Sequence, residues 1–401
     1  MSDHTHHLDG LRVLYSFPHR IGAGRICDTA YHQVRGLAEA GARVTVIAAS
    51  SARTPHPDAL MWLTLALGHA RLPVRWIGRW RACVWHDRLV AAWMRRHSGE
   101  YDVFHGWPLG SLDSLRVASR VGIRSFLERP NTHTAHAYEV ARRESERLKI
   151  RMPRGHDHEF NRKHLEREEM EYTTADHLLC PSECVSKTFS DRGFSNDRLI
   201  KHRYGFDDER FFPEEREAVW HPSKQRGIVA LFAGSGEPRK GLHFALDAWR
   251  RTDLGRRGRF LICGQLVRSY REAIKPLLGQ PGVEMLGPTG MPEQLMRNAD
   301  VLILPSLEEG SALVTYEAIG SGCVPLVSDR TGAMCTHGVD SLVHPVGDVA
   351  ELASHLRMVD ADRALLGRLR ANGIARRDAL TWSAAGRHLL NVYADALTHA
   401  A

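Results

Sequence analysis

A largely apolar run that opens onto a glycine-bearing loop, an amphipathic stretch and a second apolar run leaves a chain few folds to adopt. This chain carries that order twice. The first run is LRVLY, 11–15, apolar but for Arg12, and it reads as a buried parallel strand. Ile21-Gly22-Ala23-Gly24 follows, then a helical pattern over about 28–40 stopped by Gly41, then a strand over 44–48. Strand, glycine loop, helix and strand open a doubly wound α/β domain. Further strands are predicted over 101–104, 123–127 and 176–180. Between the last two, 135–173 is charged and mostly helical, with a break at 152–155.

The pattern lapses over 205–226, where Pro213 and Pro222 sit among mixed charges as in a linker. It restarts with a strand over 228–232, a glycine loop and a helix from about Leu242. Strands over 260–263, 283–286, 301–304 and 324–327 follow. The predicted architecture is therefore α/β, with a flexible tail over 1–10, a Rossmann-like domain over 11–204 and a second over 227–380. The last segment, 381–401, is mostly helical and is expected to cross back to the first domain.

Composition narrows the function classes. A length of 401 residues suits two domains, each with its own core. The longest apolar run, 60–67, is far short of the roughly 20 residues of a spanning helix. The N-terminal MSDHTHHLDG has no basic segment leading into an apolar core, so the expected location is cytoplasmic. Seven cysteines without a CxxC pair fit a reducing compartment. Cys180 and Cys184 have no second pair of metal-ligand spacing, and His4, His6 and His7 read as part of a solvated tail. No metal is expected. The net charge of +7 comes from 47 arginines and 7 lysines, scattered rather than gathered in a stripe with interleaved aromatics, so nucleic acid is not an expected partner. The one local concentration is 71–96, with Trp76, Trp80, Trp85 and Trp93 among arginines. That composition fits a helix docked on a membrane surface. It also fits a domain helix that buries its tryptophans.

The most informative stretch is 302–322, LILPSLEEGSALVTYEAIGSG. A strand ends at Pro305, a loop carries Glu308, Glu309, Gly310 and Ser311, and a helix begins near Ala312. Free N–H groups and the dipole at a helix start make a place for phosphate. Glu309 precedes that start and Glu317 lies inside the helix, about 12 Å further along if the spacing is helical. Carboxylates accept charge-assisted hydrogen bonds from sugar and ribose hydroxyls. Read alone, the pair fits a solvated loop acid and a surface helix acid equally well. A second loop, GSGEPRKGL over 234–242, places Arg239 and Lys240 at another helix start, where cations can stabilise a departing diphosphate.

Taken together these stretches resemble family 4 glycosyltransferases of the GT-B fold, from about Leu11 to Leu397. Glu309 and Glu317 match the family's E-x7-E motif, and 234–241 resembles its GRL-x-x-x-K-G loop. YGFD at 204–207, with Phe211 and Pro213, resembles its N-G-V-D-x-x-x-F-x-P linker. GCVPLVSDRTGA (322–333) and DSLVHPVGDVAELASHL (340–356) fit downstream blocks. The resemblance implies two Rossmann-like domains facing each other across a cleft. It implies a UDP- or GDP-linked sugar donor, a small-molecule, glycan or lipid-linked acceptor, retention of anomeric configuration and no cofactor.

By the same resemblance Glu309 holds the donor sugar and Glu317 the ribose. Gly310, Ser311, Leu313 and Val314 offer backbone to sugar and phosphates, and Arg239 and Lys240 meet the diphosphate. Gly22 and Gly24 match the loop that closes over the phosphates, and His133, in ERPNTHTAHAYE, matches the histidine facing the reacting sugar. His105 matches a weaker family position, for which a structural role is expected. Three departures stand out: Ser235 in place of a phosphate-binding arginine, Ser311-Ala312 in place of Phe-Gly, and Tyr204 in place of the linker asparagine. A nucleotide-sugar epimerase and a non-catalytic nucleotide-sugar-binding partner are the alternatives the same fold allows.

Overall fold

The computed structural model describes residues 10–67, 70–72, 74–214 and 227–398. Residues 1–9 with His4, His6 and His7, residues 68–69, Pro73, the linker stretch 215–226 with Pro222, and 399–401 lie outside the described residues. The chain divides into two units. Unit 1 is Met1–Pro130, Asn161–Tyr204 and Trp382–Ala401, and unit 2 is Asn131–Phe160 and Gly205–Thr381.

Unit 1 is built on seven strands: β1 (Arg12–Ile21), β2 (Arg43–Ser51), β3 (Leu60–Leu63), β4 (Val103–Gly106), β5 (Arg124–Glu128), β6 (His177–Cys180) and β7 (Leu199–Lys201). Their order is β3-β2-β1-β4-β5-β6-β7, and every neighbouring pair is parallel. Val13 sits opposite Val44 on one side and Val103 on the other. The apolar run at β1 serves two cores by alternation: Val13, Tyr15 and Phe17 enter one, Leu14 the other. Helix α1 (Ile26–Glu39) covers the first face through Ala30, Val34 and Leu37.

The C-terminal helix, Trp382–Thr398, packs on α1 and adds Leu389, Leu390 and Tyr393 to the same core. Its approach is set by two glycines. A Cβ on Gly386 would lie 2.3 Å from the carbonyl carbon of Gly36, which is backbone and cannot swing aside. Gly386→Ala is therefore expected to cost about 1–3 kcal/mol, the range for overpacking. A thermal melt of this variant checks it against Gly99→Ala, whose Cβ would meet nothing within 4 Å.

Segment 71–96 folds mainly as helix α2 (Arg79–Arg96), and it buries its tryptophans only in part: Trp93 packs against the core of unit 1. The face turned inward carries Ala82, Cys83, His86, Asp87, Val90, Ala91 and Met94. Asp87 is satisfied there by the Asp113 and Ser114 N–H groups and by Arg167. Trp76 is 77% exposed and Trp85 43%, while Trp80 and Trp93 are half-buried. Trp76 and Trp85 are thus the two rings left on the outer side.

Unit 2 repeats the plan with β8 (Val229–Ala233), β9 (Arg259–Cys263), β10 (Val283–Gly287), β11 (Val301–Leu304), β12 (Val324–Ser328) and β13 (Leu342–His344). The order is β10-β9-β8-β11-β12-β13, again parallel throughout. In both sheets the strand order reverses beside the first strand, the switch point at which doubly wound folds bind ligands. Segment 131–160, which the sequence reading assigns to the N-terminal domain, groups with unit 2. Its helix α3 (Thr134–Arg147) carries Glu144, which pairs with His243 at 2.9 Å, and Leu148 and Ile150 then pack on the core of unit 2. These contacts join residues almost 100 positions apart, so local pattern does not reveal them.

Candidate active site

In unit 2 the acidic loop begins where β11 ends. Pro305 closes the strand, and helix α4 (Leu313–Gly320) starts at the Ala312 N-cap without a side-chain cap. Leu313 and Val314 open α4, so their N–H groups have no partner within the helix. The loop 234–241 lies directly alongside. Gly241 has φ 69°, and a Cβ there would stand 2.2 Å from the Pro305 carbonyl oxygen, so only glycine lets the two loops meet.

Their meeting buries a cluster of charges. Arg239 donates through Nη1 to the Glu308 carbonyl oxygen at 2.6 Å and to the Glu308 carboxylate at 3.1 Å, and through Nη2 to Glu237 at 3.1 Å. Its Nη1 also stands 3.2 Å from Glu309. Lys240 pairs with the other oxygen of Glu309, which also accepts from the Ser306 hydroxyl at 3.1 Å. Burial alone would raise the Glu309 carboxyl, but Arg239 and then Lys240 outweigh it and hold it below the usual range. The same contest, won chiefly by Arg239 and His158, keeps Glu237 ionised. Arg239 is thus enclosed by three carboxylates, whereas the sequence reading assigns it to the diphosphate; Lys240 is the less buried cation of the two. Ser235, the departure at the arginine position, places its hydroxyl 3.5 Å from Glu237.

Glu317 stands differently. It is half-buried on α4 and makes no side-chain hydrogen bond or ion pair among the described residues. Burial pushes its carboxyl up to about 7, against a smaller lowering by Arg210. Ser311 turns its hydroxyl to the Gly332 carbonyl at 3.0 Å and toward the Tyr316 hydroxyl at 2.8 Å, so its side chain braces the loop.

His133 is buried at the N-cap of α3, its Nδ1 accepting from the Ala135 N–H at 3.2 Å. The preceding residue ties it to the charge cluster: the Thr132 hydroxyl donates to Glu308 at 2.6 Å and the Thr132 N–H at 3.2 Å. His133, Glu308, Arg239 and Glu309 therefore belong to one connected assembly within unit 2. Sequence reasoning missed Thr132, His158 and the Glu237 and Glu308 contacts to Arg239, although both acids stand in the stretches it singled out.

His156, His158 and Glu237 bring one potential ligand atom each within 4.8 Å of the others, the group among the described residues that could hold a metal ion. His158 Nδ1 already donates to Glu237 at 3.1 Å, and His156 Nδ1 accepts the His158 N–H at 3.2 Å. In unit 1, Gly22 and Gly24 follow β1 with φ of 72° and 89°, and Asp28 accepts the Gly24 N–H at 3.1 Å. His105 is structural there: it stacks on Tyr15 and lies 2.5 Å from the Tyr393 hydroxyl, with burial pushing its imidazole down to about 4. Tyr204, the departure in the linker motif, donates its hydroxyl to buried Glu128 at 2.9 Å.

Comparison with known proteins bears on this geometry. The family model described as Glycosyltransferase Family 4 matches residues 28–210, and that described as Glycosyl transferases group 1 matches residues 227–362. The MMP alpha-(1->4)-mannosyltransferase of Mycolicibacterium hassiacum is 28% identical over 237 residues, 56% of this chain and 55% of that protein. The chain spans about half the length of the curated relatives it matches. Sucrose-phosphate synthase from Thermosynechococcus elongatus is similar in structure, with TM-score 0.67 and 18% identity over 97% of this chain and 100% of that one. HepE from Anabaena, solved in complex with UDP, gives 0.66 and 14% over 96% and 100%. With two parallel sheets in doubly wound order and the two family matches falling on them in succession, the chain belongs to glycosyltransferase family 4 and has the GT-B type of fold.

Proposed function

We propose that the protein transfers a sugar from a nucleotide-diphosphate donor, UDP- or GDP-linked, to a hydroxyl acceptor with retention of configuration. The observation that carries this reading is the pairing of Glu309, fixed by Arg239 and Lys240 at the start of α4, with unpartnered Glu317 on the same helix. Glu309 accepts hydroxyls of the donor sugar and Glu317 those of the ribose, with the diphosphate at the open N–H groups of Leu313 and Val314. UDP as the nucleotide is favoured by the UDP complex of the structurally similar HepE. In the step we propose, the bond from the anomeric carbon to the phosphate oxygen breaks and the acceptor oxygen bonds that carbon from the same face. The acceptor proton passes to the departing phosphate oxygen. Lys240 stabilises the charge that gathers there, and His133 lines the sugar. The test is to follow transfer from UDP-glucose or GDP-mannose by NMR: an α-linked product from an α-linked donor supports retention, and an inverted product overturns it.

Donor binding should depend on pH through Glu317. Its folded carboxyl is raised by burial, so its contribution to stability is present at low pH and is lost as pH rises through about 7. Ribose hydroxyls favour the ionised form, so donor affinity should run the opposite way. It is expected to rise about tenfold between pH 6 and 8 with UDP-glucose, whose diphosphate has no proton to lose in that range. Calorimetry across the range checks it, and Glu317→Gln should flatten the profile.

The same reading extends to a membrane surface. Exposed Trp85 and Leu89 stand with exposed Arg81, Arg88, Arg95 and Arg96 along α2, and exposed Trp76 lies on the short helix Val74–Ile77 before it, a surface suited to anionic lipid. Among the described residues no helix is long and apolar enough to cross a membrane. Co-sedimentation with phosphatidylglycerol vesicles should be strong at low salt and fall as salt screens the arginines. Protein that stays in the supernatant at low salt removes the docking surface.

A further inference from the structure

The sequence reading expects no metal; Glu237 lies 79 positions from His158, and no local spacing reveals the pair. In the fold both stand with His156 in unit 2. His158 Nδ1 is 3.1 Å and His156 Nε2 3.6 Å from the same oxygen, Glu237 Oε2. Two ligands at zinc bond lengths in a tetrahedral array stand about 3.4 Å apart, so both separations fit one coordination shell. The imidazole centroids are 5.7 Å apart. Successive turns fix the backbone that carries them: the His156 N–H donates to the Pro153 carbonyl at 3.1 Å, and the Glu159 N–H to the His156 carbonyl at 2.9 Å.

The surroundings prepare the three side chains as ligands. Glu237 turns its other oxygen to Arg239 Nη2 at 3.1 Å and to the Ser235 hydroxyl at 3.5 Å, outer partners of the kind that orient a ligating carboxylate. Burial opposes its ionisation, but Arg239 and then His158 outweigh burial and keep it charged. Burial lowers the His156 imidazole as well and so favours the neutral form, the one that binds metal. The Glu237 side chain is 3% exposed, those of His156 and His158 23% and 12%, so an ion enters from the histidine side and meets water there. Loops 234–241 and 305–312 set Glu237, Glu308 and Glu309 against Arg239 and Lys240, an excess of negative charge that a cation offsets. Binding exchanges one contact. To ligate through Nε2, His156 carries its proton on Nδ1 and gives up the 3.2 Å contact from the His158 N–H.

We propose that His156, His158 and Glu237 bind a divalent transition-metal ion of the zinc type, with at least one coordination position left to water. Two imidazoles and one carboxylate select this class, whereas Mg²⁺ and Ca²⁺ take shells of oxygen. Binding of the ion needs no sugar donor, so it is tested without one.

The test is calorimetric titration of ZnCl₂ into the full chain carrying His4→Ala, His6→Ala and His7→Ala, so that the tail contributes no imidazole. One ion should bind per chain, and MgCl₂ should give no binding at the same concentration. In that background His156→Ala and His158→Ala should each weaken zinc about hundredfold or more, since losing a ligand exceeds the 10–100-fold loss on removing an outer partner. His337→Ala, in the other histidine cluster of unit 2, should bind zinc as the parent does. Both site histidines are partly exposed, so their variants should fold, and metal-free melts check this. Zinc should raise the melting temperature of the parent and leave that of His158→Ala unchanged. Co²⁺ in place of zinc should give the visible absorption of a four-coordinate site, lost in both site variants. The inference is overturned if the parent binds no zinc, as it would if the imidazoles serve Glu237 only as hydrogen-bond donors. It is equally overturned if the site variants bind zinc unchanged, if His337→Ala abolishes binding, or if Mg²⁺ binds as tightly.

Discussion

Arg239→Ala should destabilise unit 2 by about 3–5 kcal/mol at neutral pH, the range for removing one partner of a buried ion pair. The guanidinium faces Glu237, Glu308 and Glu309 at once, and all four residues are buried. Without it the three carboxylates keep Lys240, His158, Ser306, Thr132 and the more distant Ser235 and His156. The pH dependence follows from the direction of the shifts. Glu237 and Glu309 are held below their ordinary range in the folded protein, so the stability they contribute is present above the unfolded glutamate range. It is lost as pH falls through their depressed values. In the variant that depression shrinks to what Lys240 and His158 supply, and protonation relieves the repulsion. The melting temperatures of variant and parent should therefore differ most near pH 8 and converge toward pH 4. Arg239→Lys should recover part of the loss, since one ammonium cannot reproduce the planar fork. Equal melting temperatures at pH 8 would mean that the cluster does not hold the two loops together.

Lys240→Ala should have the larger effect on turnover. Lys240 is the less buried cation and its partner Glu309 keeps Arg239 and Ser306 when it is removed, so the fold survives. On the proposed function, what is lost is positive charge beside the departing diphosphate. Removing a group that stabilises developing charge costs about 10²–10³ in kcat. The free nucleoside diphosphate should bind the variant more weakly as well. Loss of affinity with unchanged kcat would assign Lys240 to ground-state binding only. Unchanged kcat and affinity would place the phosphates elsewhere.

Most of the strands that were legible are buried on both faces, β10 with its exposed Met285 and Leu286 being the exception. β8 and β11 are unbroken apolar runs, and β1 and β12 contain largely apolar stretches, because parallel strands sit between two layers. β3 was not foreseen as a strand, because its burial alternates between exposed and half-buried and its residues read simply as an apolar run. β7 and β13, three residues each, are too short to show a period. At the site, the loop residues and Glu317 could be found from local motifs, since glycine turns and helix starts have local signatures. The cage around Arg239 could not. Thr132 reaches Glu308 across 176 positions and Arg239 reaches it across 69, and no periodicity encodes such pairings. The tryptophans of 71–96 were open to two readings for the same reason, because which face of α2 turns inward depends on Asp87 meeting Ser114 and Arg167.

The central claim is that the acidic loop and α4 of unit 2 hold a nucleotide-sugar donor through Glu309 and Glu317. Calorimetric titration with UDP-glucose, GDP-mannose and ADP-glucose, on the parent, Glu317→Ala and Glu309→Ala, tests it most directly. One nucleotide sugar should bind the parent saturably. Glu317→Ala should weaken both that donor and its free nucleoside diphosphate about ten- to hundredfold, the loss of charge-assisted hydrogen bonds. Glu309→Ala should weaken the intact donor more than the free diphosphate. A parent that binds none of the three, or variants that bind all of them as the parent does, would contradict the account.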